Sequence, residues 1–435
     1  MLVSGSAGDG LRTMMRRILW LTLADPEPAN NGQFLYSSGL IRAVAAAERQ
    51  IELHVLGLYR YDQAAGRKVP FARNIALHLT DDAPRSKWAS RFGRWPQVAM
   101  RSKTESMKQG LALLLREPWD VILFDGISVG WALRAVARRR GQGTKLVYLS
   151  HNREADIAML LARAESNPVR RTAKIVDAWK VQSLERAMCR EAGLVTANTP
   201  EDAQMFRNEI ATGRVEFVPP GYSAHRLETR RITQATPRRA LIVGSFDWAA
   251  KRRDLERFLA AADAPFAAAG IELLVVGSVD PPYRSRLQAT LKATRLTGPV
   301  ADIAPYFDGA RLAVLVDSFG GFKLKTLDYV FNRMPMLGIA GGVPGVPLQH
   351  GHGILFYQDH HALTEGVIRT IDDFGRLNQL HDEALRACEG RFDWPAIGAA
   401  LWTMIGESMP KGGQDVRRSW PAAAAARRPQ ETENY

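Results

Sequence analysis

Cysteine is almost missing from this chain: two in 435 residues, Cys189 and Cys388, far apart and without metal-ligand spacing. That excludes a disulfide framework and a cysteine zinc site, and it fits a reducing cytosol. Long apolar runs are missing as well. No stretch of about 18 uninterrupted apolar residues occurs, so no membrane-spanning helix is predicted. The opening MLVSGSAGDGLRTMMRR lacks the apolar centre of a signal peptide, and it reads as a flexible leader, with Met14 or Met15 as the start of the protein proper. There is no Gly-x-x-x-x-Gly-Lys-Ser/Thr phosphate loop and no Gly-x-Ser-x-Gly nucleophile turn. Nor is there an Asp-x-Asp pair to bridge a metal and a diphosphate. Acid is in deficit: 58 Lys and Arg face 45 Asp and Glu, a net charge of +13. Anionic nucleotides, anionic lipid headgroups and nucleic acid are the partners such a surface attracts.

What is present is enough apolar material for a substantial interior, 46% of residues, in a length that suits two domains. Short apolar segments alternate with longer helical patterns, the mark of parallel α/β sheets. In the first half strands are predicted at 18–23, 51–58, 121–124, 146–149, 194–197 and 215–218, with a long helix near 172–191. The rhythm restarts at 240–243, 273–276 and 312–316. Between the halves, Pro219-Pro220-Gly221-Tyr222 and the Arg-rich stretch to Arg239 read as a linker. The expected plan is α/β throughout. A leader spans 1–15, a Rossmann-like acceptor domain 16–222, a linker 223–238, a Rossmann-like donor domain 239–407 and a disordered tail 408–435. Two doubly wound parallel sheets would then face one another across a cleft, since ligands of open α/β sheets bind at the carboxyl ends of strands.

The densest chemical signal runs from Gly298 to Pro335. The apolar run Leu312–Val316 ends in a loop with Gly320-Gly321, where a backbone without Cβ can turn tightly and approach a ligand. Phe322-Lys323-Leu324-Lys325-Thr326-Leu327-Asp328 then opens a helix. A helix N-terminus carries unpaired N–H groups and about half a positive charge, which suits phosphate. Lys323 and Lys325 add full charges, and Asp328 can accept two hydrogen bonds from ribose hydroxyls. This is the pattern of a nucleotide-diphosphate site. The bland alternative is an exposed Lys-Leu-Lys strand with Asp328 paired to a lysine.

Gly298, Val300, Asp302, Ile303, Pro305, Tyr306, Ala310, Arg311, Val314, Gly320, Gly321, Lys325, Leu327 and Pro335 together resemble the donor segment of GT-B glycosyltransferases, the family-4-like "glycosyl transferases group 1". The resemblance implies a GT-B architecture, with Asp328 in place of the glutamate that holds the ribose. Gly320 stands where the family often has a second glutamate. It also implies that the donor is a nucleotide-diphosphate sugar held by Gly320, Gly321, Lys323, Lys325, Thr326, Asp328 and Val300. No further cofactor and no metal are expected.

Three other segments fall at predicted strand ends. Asp25-Pro26-Glu27-Pro28-Ala29-Asn30-Asn31-Gly32-Gln33 follows the first strand. The resemblance assigns Asp25, Asn31 and Gly32 to the acceptor side, whereas the plain reading is an ordinary connecting loop. Ser150-His151-Asn152-Arg153-Glu154 follows the predicted strand 146–149, where His151 can hydrogen-bond a donor-sugar hydroxyl; the plain alternative is a helix start with Asn152 as its cap. Gly244-Ser245 with Lys251, Arg252 and Arg253 follows the first strand of the second half. There Gly244 and Ser245 leave room for a phosphate and Lys251 or Arg252 can neutralise it, unless the bases are a solvated helix face. A fifth stretch, 85–108, interleaves Trp88, Phe92 and Trp95 with bases. It reads as a membrane-interface or anionic-glycan contact, or as a solvated helix with its aromatics inside.

The expected function is transfer of a sugar to a glycan or lipid-linked acceptor in cell-surface polysaccharide or glycoconjugate synthesis, without a metal. Lys325, Lys251 and His151 are the candidate catalytic groups. Retention of anomeric configuration is what the resemblance implies. The expected location is cytoplasmic or peripheral at the inner membrane face. Two competing readings are a sugar-nucleotide or glycan-binding protein without turnover, and a sugar-nucleotide epimerase on the same scaffold. A nucleic-acid surface is a further alternative, which salt would test.

Overall fold

A computed structural model describes residues 15–29, 31–60, 71–81, 93–209, 213–246, 249–317 and 320–407. Seven strands of the first half form one sheet: β1 (Arg16–Ala24), β2 (Ile51–Leu58), β3 (Ile75–Thr80), β4 (Val121–Asp125), β5 (Lys145–Leu149), β6 (Leu194–Ala197) and β7 (Arg214–Phe217). A second sheet holds β8 (Arg239–Val243), β9 (Glu272–Val276), β10 (Thr294–Gly298), β11 (Leu312–Leu315), β12 (Met336–Ile339), β13 (Gln349–His350) and β14 (Gly353–Tyr357). The orders are β3-β2-β1-β4-β5-β6-β7 and β10-β9-β8-β11-β12-β14-β13. The named strand pairs are all parallel. In both sheets the winding reverses beside the first strand, between β1 and β4 and between β8 and β11. These are the switch points where a doubly wound sheet opens a crevice at its carboxyl edge.

The first-half helices are α1 (Gly32–Ala47), α2 (Gln97–Met100), α3 (Glu105–Leu114), α4 (Leu133–Arg139), α5 (Glu154–Arg163), α6 (Pro168–Glu191) and α7 (Pro200–Glu209). The second half adds α8 (Ala249–Ala269), α9 (Pro281–Gln288), α10 (Ala304–Asp308), α11 (Leu324–Phe331), α12 (His360–Thr370), α13 (Phe374–Cys388) and α14 (Trp394–Glu407). Helices cover both faces of each sheet, so the central strands are near-continuous apolar runs. Ile18, Leu19 and Trp20 of β1 and Leu312–Leu315 of β11 are fully buried.

The last helix does not stay with the second sheet. Ile397, Leu401 and Ile405 of α14 complete the core around α1 and β1, and the Trp402 indole N–H donates to Glu48 Oε2 at 2.7 Å. The segment expected as a linker, 223–238, is not a free tether. Ile232 is buried in the second core, its N–H donates to Asn378 Oδ1 at 2.9 Å, and the Leu227 N–H donates to the Phe331 carbonyl at 2.9 Å. Arg230 donates to the carbonyls of Phe307, Ala310 and Asn332. Of the arginines that gave the segment its polar, linker-like look, Arg230 and Arg238 donate to carbonyls of the second lobe, Arg231 pairs with Asp382 and Arg226 lies over the Phe331 ring.

Of the aromatic-basic stretch, Trp88 and Phe92 lie outside the described residues, as do the leader before Met15 and the tail from 408. Trp95 packs against the first core, with Arg94 and Lys103 over its ring. Among the described residues no helix is long and apolar enough to cross a membrane.

Candidate active site

The carboxyl edges of the two sheets meet at a cavity of about 240 Å³. It is lined from the first lobe by Gly32, Tyr36, Gly126, Ser128, His151 and Asn152, and from the second by Phe322 and Leu324. His151 stands directly after β5. Its Nε2 lies 2.6 Å from Oδ1 of Asp125, the last residue of β4, and its ring meets Tyr36 edge-on with centroids 5.4 Å apart. Asp125 is wholly buried, and its other oxygen accepts the Trp20 indole N–H at 2.9 Å. Burial opposes ionisation of Asp125. The His151 hydrogen bond and charge, with the donors Trp20 and Ser37, nevertheless hold its carboxyl below the usual range. A buried carboxylate thus fixes His151 in the tautomer with its proton on Nε2.

Across the cleft the 320–321 turn joins the cavity to a basic cluster. The Gly321 N–H donates to Asn152 Oδ1 at 3.2 Å. A Cβ on Gly321 would stand 2.3 Å from that oxygen, 3.2 Å from Asn198 Oδ1 and 3.3 Å from the His151 carbonyl. Gly320 has φ +98, and a Cβ there would meet the Lys323 amine at 3.2 Å. Lys323 occupies the N-cap position of α11 and Lys325 its first turn, so the helix begins two residues later than the expected Phe322. Both lysines converge on Asp317, at the carboxyl end of β11. Lys325 forms an ion pair with Asp317 Oδ2. Burial would push the Asp317 carboxyl up, but Lys325, Lys323 and Lys251 together hold it down at about 2. Burial lowers the Lys323 ammonium to about 8, and the neighbouring Lys325 and Lys251 add to the effect against the pull of Asp317 and Asp254.

Asp328 lies in the second turn of α11. Burial raises its carboxyl to about 6, against a hydrogen bond with the Tyr222 hydroxyl. Asn332, one turn further on, donates to the same hydroxyl at 3.3 Å.

Several expected contacts come out differently. Arg252 lies over the Tyr283 ring, 5.5 Å from its centroid, so among the three bases of α8 it is Lys251 whose charge reaches Asp317. Asn31 Oδ1 accepts the Phe34 N–H at 3.0 Å and caps α1; the local donor wins over the cleft. Gly32 does face the cleft, with Leu324 3.5 Å from where a Cβ would stand. Asp25 is buried and accepts the Glu27 N–H at 3.0 Å, so it shapes its own loop. Thr326 is fully buried, its hydroxyl enclosed in the interior. Val300 packs against the second core and lines a separate groove with Arg284 and Tyr306. Gly244 and Ser245 stand at the end of β8. The close approach there is backbone to backbone, since a Cβ on Gly277 would overlap the Gly244 carbonyl.

Asp125, Asp317 and Asp254 went unread in the sequence. Asp125 and Asp317 had a signal: each is an acid that closes an apolar strand at its carboxyl end, as His151 does.

Residues 237–373 match the model of the family "Glycosyl transferases group 1". No curated protein matches the sequence. Among solved structures, sucrose-phosphate synthase from Thermosynechococcus elongatus is 18% identical, covering 90% of this chain and 98% of its own at a TM-score of 0.65. HepE from Anabaena, solved with UDP-glucose, is 15% identical over 90% of this chain and 100% of its own, TM-score 0.56. A variant of S. aureus TarM with fondaparinux, alpha-GlcNAc-glycerol and UDP is 8% identical over 90% and 99%, TM-score 0.61. Residues 237–373 thus carry a domain similar to the family "Glycosyl transferases group 1", and the two parallel sheets opening on one cleft share the GT-B architecture of these structures.

Proposed function

We propose that the enzyme moves a glycosyl group from a nucleotide-diphosphate sugar to a hydroxyl of a glycan or lipid-linked acceptor in surface polysaccharide or glycoconjugate synthesis. The observation that carries this reading is the convergence of Lys251, Lys323 and Lys325 on Asp317 at the end of β11. As the anomeric C–O bond breaks, negative charge grows on the departing diphosphate. Preorganised ammonium groups and the N-terminus of α11 stabilise that charge more than they stabilise the intact donor. Lysines thereby supply the countercharge without a metal. HepE with UDP-glucose and TarM with UDP support a nucleotide-sugar donor.

Asp328 is assigned to the ribose hydroxyls, and this assignment has a signed pH dependence. Accepting two hydrogen bonds needs the carboxylate, and in the free enzyme the carboxyl titrates at about 6. Donor affinity is therefore expected to be full above that pH and to fall by about tenfold per unit below it. Asp328→Ala should weaken the donor at pH 8 and flatten the profile, with an undiminished unfolding temperature because a buried acid has been removed. Titration calorimetry across pH checks the affinity and its profile, and thermal unfolding checks the stability. An unchanged affinity in the variant would mean that the ribose lies elsewhere.

In the retaining course, the leaving diphosphate takes the proton of the acceptor hydroxyl as the new C–O bond forms on the same face. The His151–Asp125 pair favours a second course, in which His151 is the base and configuration inverts. Asp125→Asn would then lower kcat by about 10² and move the lower limb of the pH–rate profile. Product stereochemistry, read by NMR, decides between them. A retained anomer with a small Asp125→Asn effect removes His151 from proton transfer.

A further inference from the structure

The acceptor lobe carries two adjoining grooves away from the cleft, of about 400 and 360 Å³, and Arg134 of α4 lines both. Among the described residues their linings contribute seven Lys or Arg side chains, including Arg94, Lys103, Arg138 and Arg139, and no acidic residue; Lys108 is paired with Glu105 beside them. Their floors are apolar, built on Trp95, Leu133 and Trp131. The rim is apolar too. Trp179 and Val176 of α6 line the larger groove and are 59% and 41% exposed. Val169, two turns earlier on the same stripe of that helix, is 78% exposed. A soluble surface has no use for a large exposed indole beside a valine stripe, whereas a headgroup boundary does: indoles sit there and arginine stems snorkel.

We propose that this face docks on an anionic lipid bilayer, with phosphate headgroups in the two grooves and Trp179 and Val176 in the interfacial layer. The charge pattern chooses this occupant. Grooves lined by cations match a continuous sheet of phosphates, and Trp179, Val176 and Val169 add exposed apolar side chains on the adjoining helix. The surface extends the functional proposal without depending on it, since bilayer binding needs neither donor nor acceptor. Because α2, beside Trp95, also supplies Val98 to the catalytic cavity, docking here would hold the cavity near a lipid-borne acceptor.

The full-length chain is to be spun with vesicles of phosphatidylcholine alone, and of phosphatidylcholine with one-third phosphatidylglycerol. The expected result is retention on the anionic vesicles, absence from the neutral ones and loss at high salt. Arg134→Glu with Arg138→Glu and Arg139→Glu should weaken retention on the order of 10²-fold or more, and Trp179→Ser should weaken it further at low salt. Thermal unfolding of each variant monitors folding, and Trp179→Ser, changing one exposed side chain, keeps the test open if the triple variant fails to fold. Equal retention on both vesicle types would overturn the proposal. So would full retention of the folded variants, or capture by single-stranded nucleic acid in the absence of vesicle binding.

Discussion

Lys325→Ala is expected, on the proposed function, to lower kcat by about 10²–10³, because it removes the amine assigned to the charge that appears on the leaving group. The same substitution also leaves Asp317, 4% exposed, without its ion-pair partner. Breaking a buried pair costs up to about 3–5 kcal/mol, so lost activity alone would prove little. The decisive variant is Asp317→Asn with Lys325→Ala, which buries a neutral amide in place of a lone carboxylate. Stability should return in the double variant while turnover stays low. If turnover returned with stability, Lys325 would be a structural counter-ion and the charge assignment would fail. Lys323→Ala offers a milder comparison, since the Lys323 amine is already destabilised by burial and by its neighbours.

Gly321→Val should reduce kcat/KM by about 10² while the unfolding temperature stays close to wild type. Each lobe has its own core, so nothing in either depends on residue 321. What depends on it is the fit between them: a Cβ would displace Asn152 and press on Asn198 and the His151 carbonyl. A cleft held open by about an ångström misaligns the acceptor hydroxyl and the anomeric carbon, and such misplacement costs about 10²-fold. Gly321→Ala combined with Asn152→Ala removes the closest clash, and the pair should show strong coupling in a double-mutant cycle. Full activity in Gly321→Val would mean that this contact is not part of the working state.

The sheets were readable in the sequence at most strands that form near-continuous apolar runs. β2 and β6 fall on the predicted ranges, and β1, β4, β5, β8, β9 and β11 within one or two residues at either end. The strands that escaped are those that periodicity describes poorly. β3 and β10 are edge strands with polar, half-exposed positions. β12 follows a proline, and β13 and β14 are separated by glycine turns. The candidate site was half readable. Glycine turns, lysines and the histidine at strand ends could be named from their positions. The acids beneath them had only their place at a strand end as a signal, because the partners that give them a role, Trp20 for Asp125 and Lys251 for Asp317, are far away in the chain. Arg252 and Asn31 have local partners in place of the expected cleft contacts for a related reason. A side chain near a ligand site takes a nearer partner when one is available, here Tyr283 and the Phe34 N–H.

The return of α14 to the first lobe means that the polypeptide passes between lobes twice, near 219–222 and again near 392–394. The two passages lie side by side: the Tyr222 N–H donates to the Phe392 carbonyl at 2.8 Å, and the Trp394 ring fills the space where a Gly221 Cβ would stand. A molecule strung on one thread could twist in any direction. Two threads fastened together leave a single axle, so any swing of one lobe against the other would have to turn about that seam and return the same rows of side chains into register.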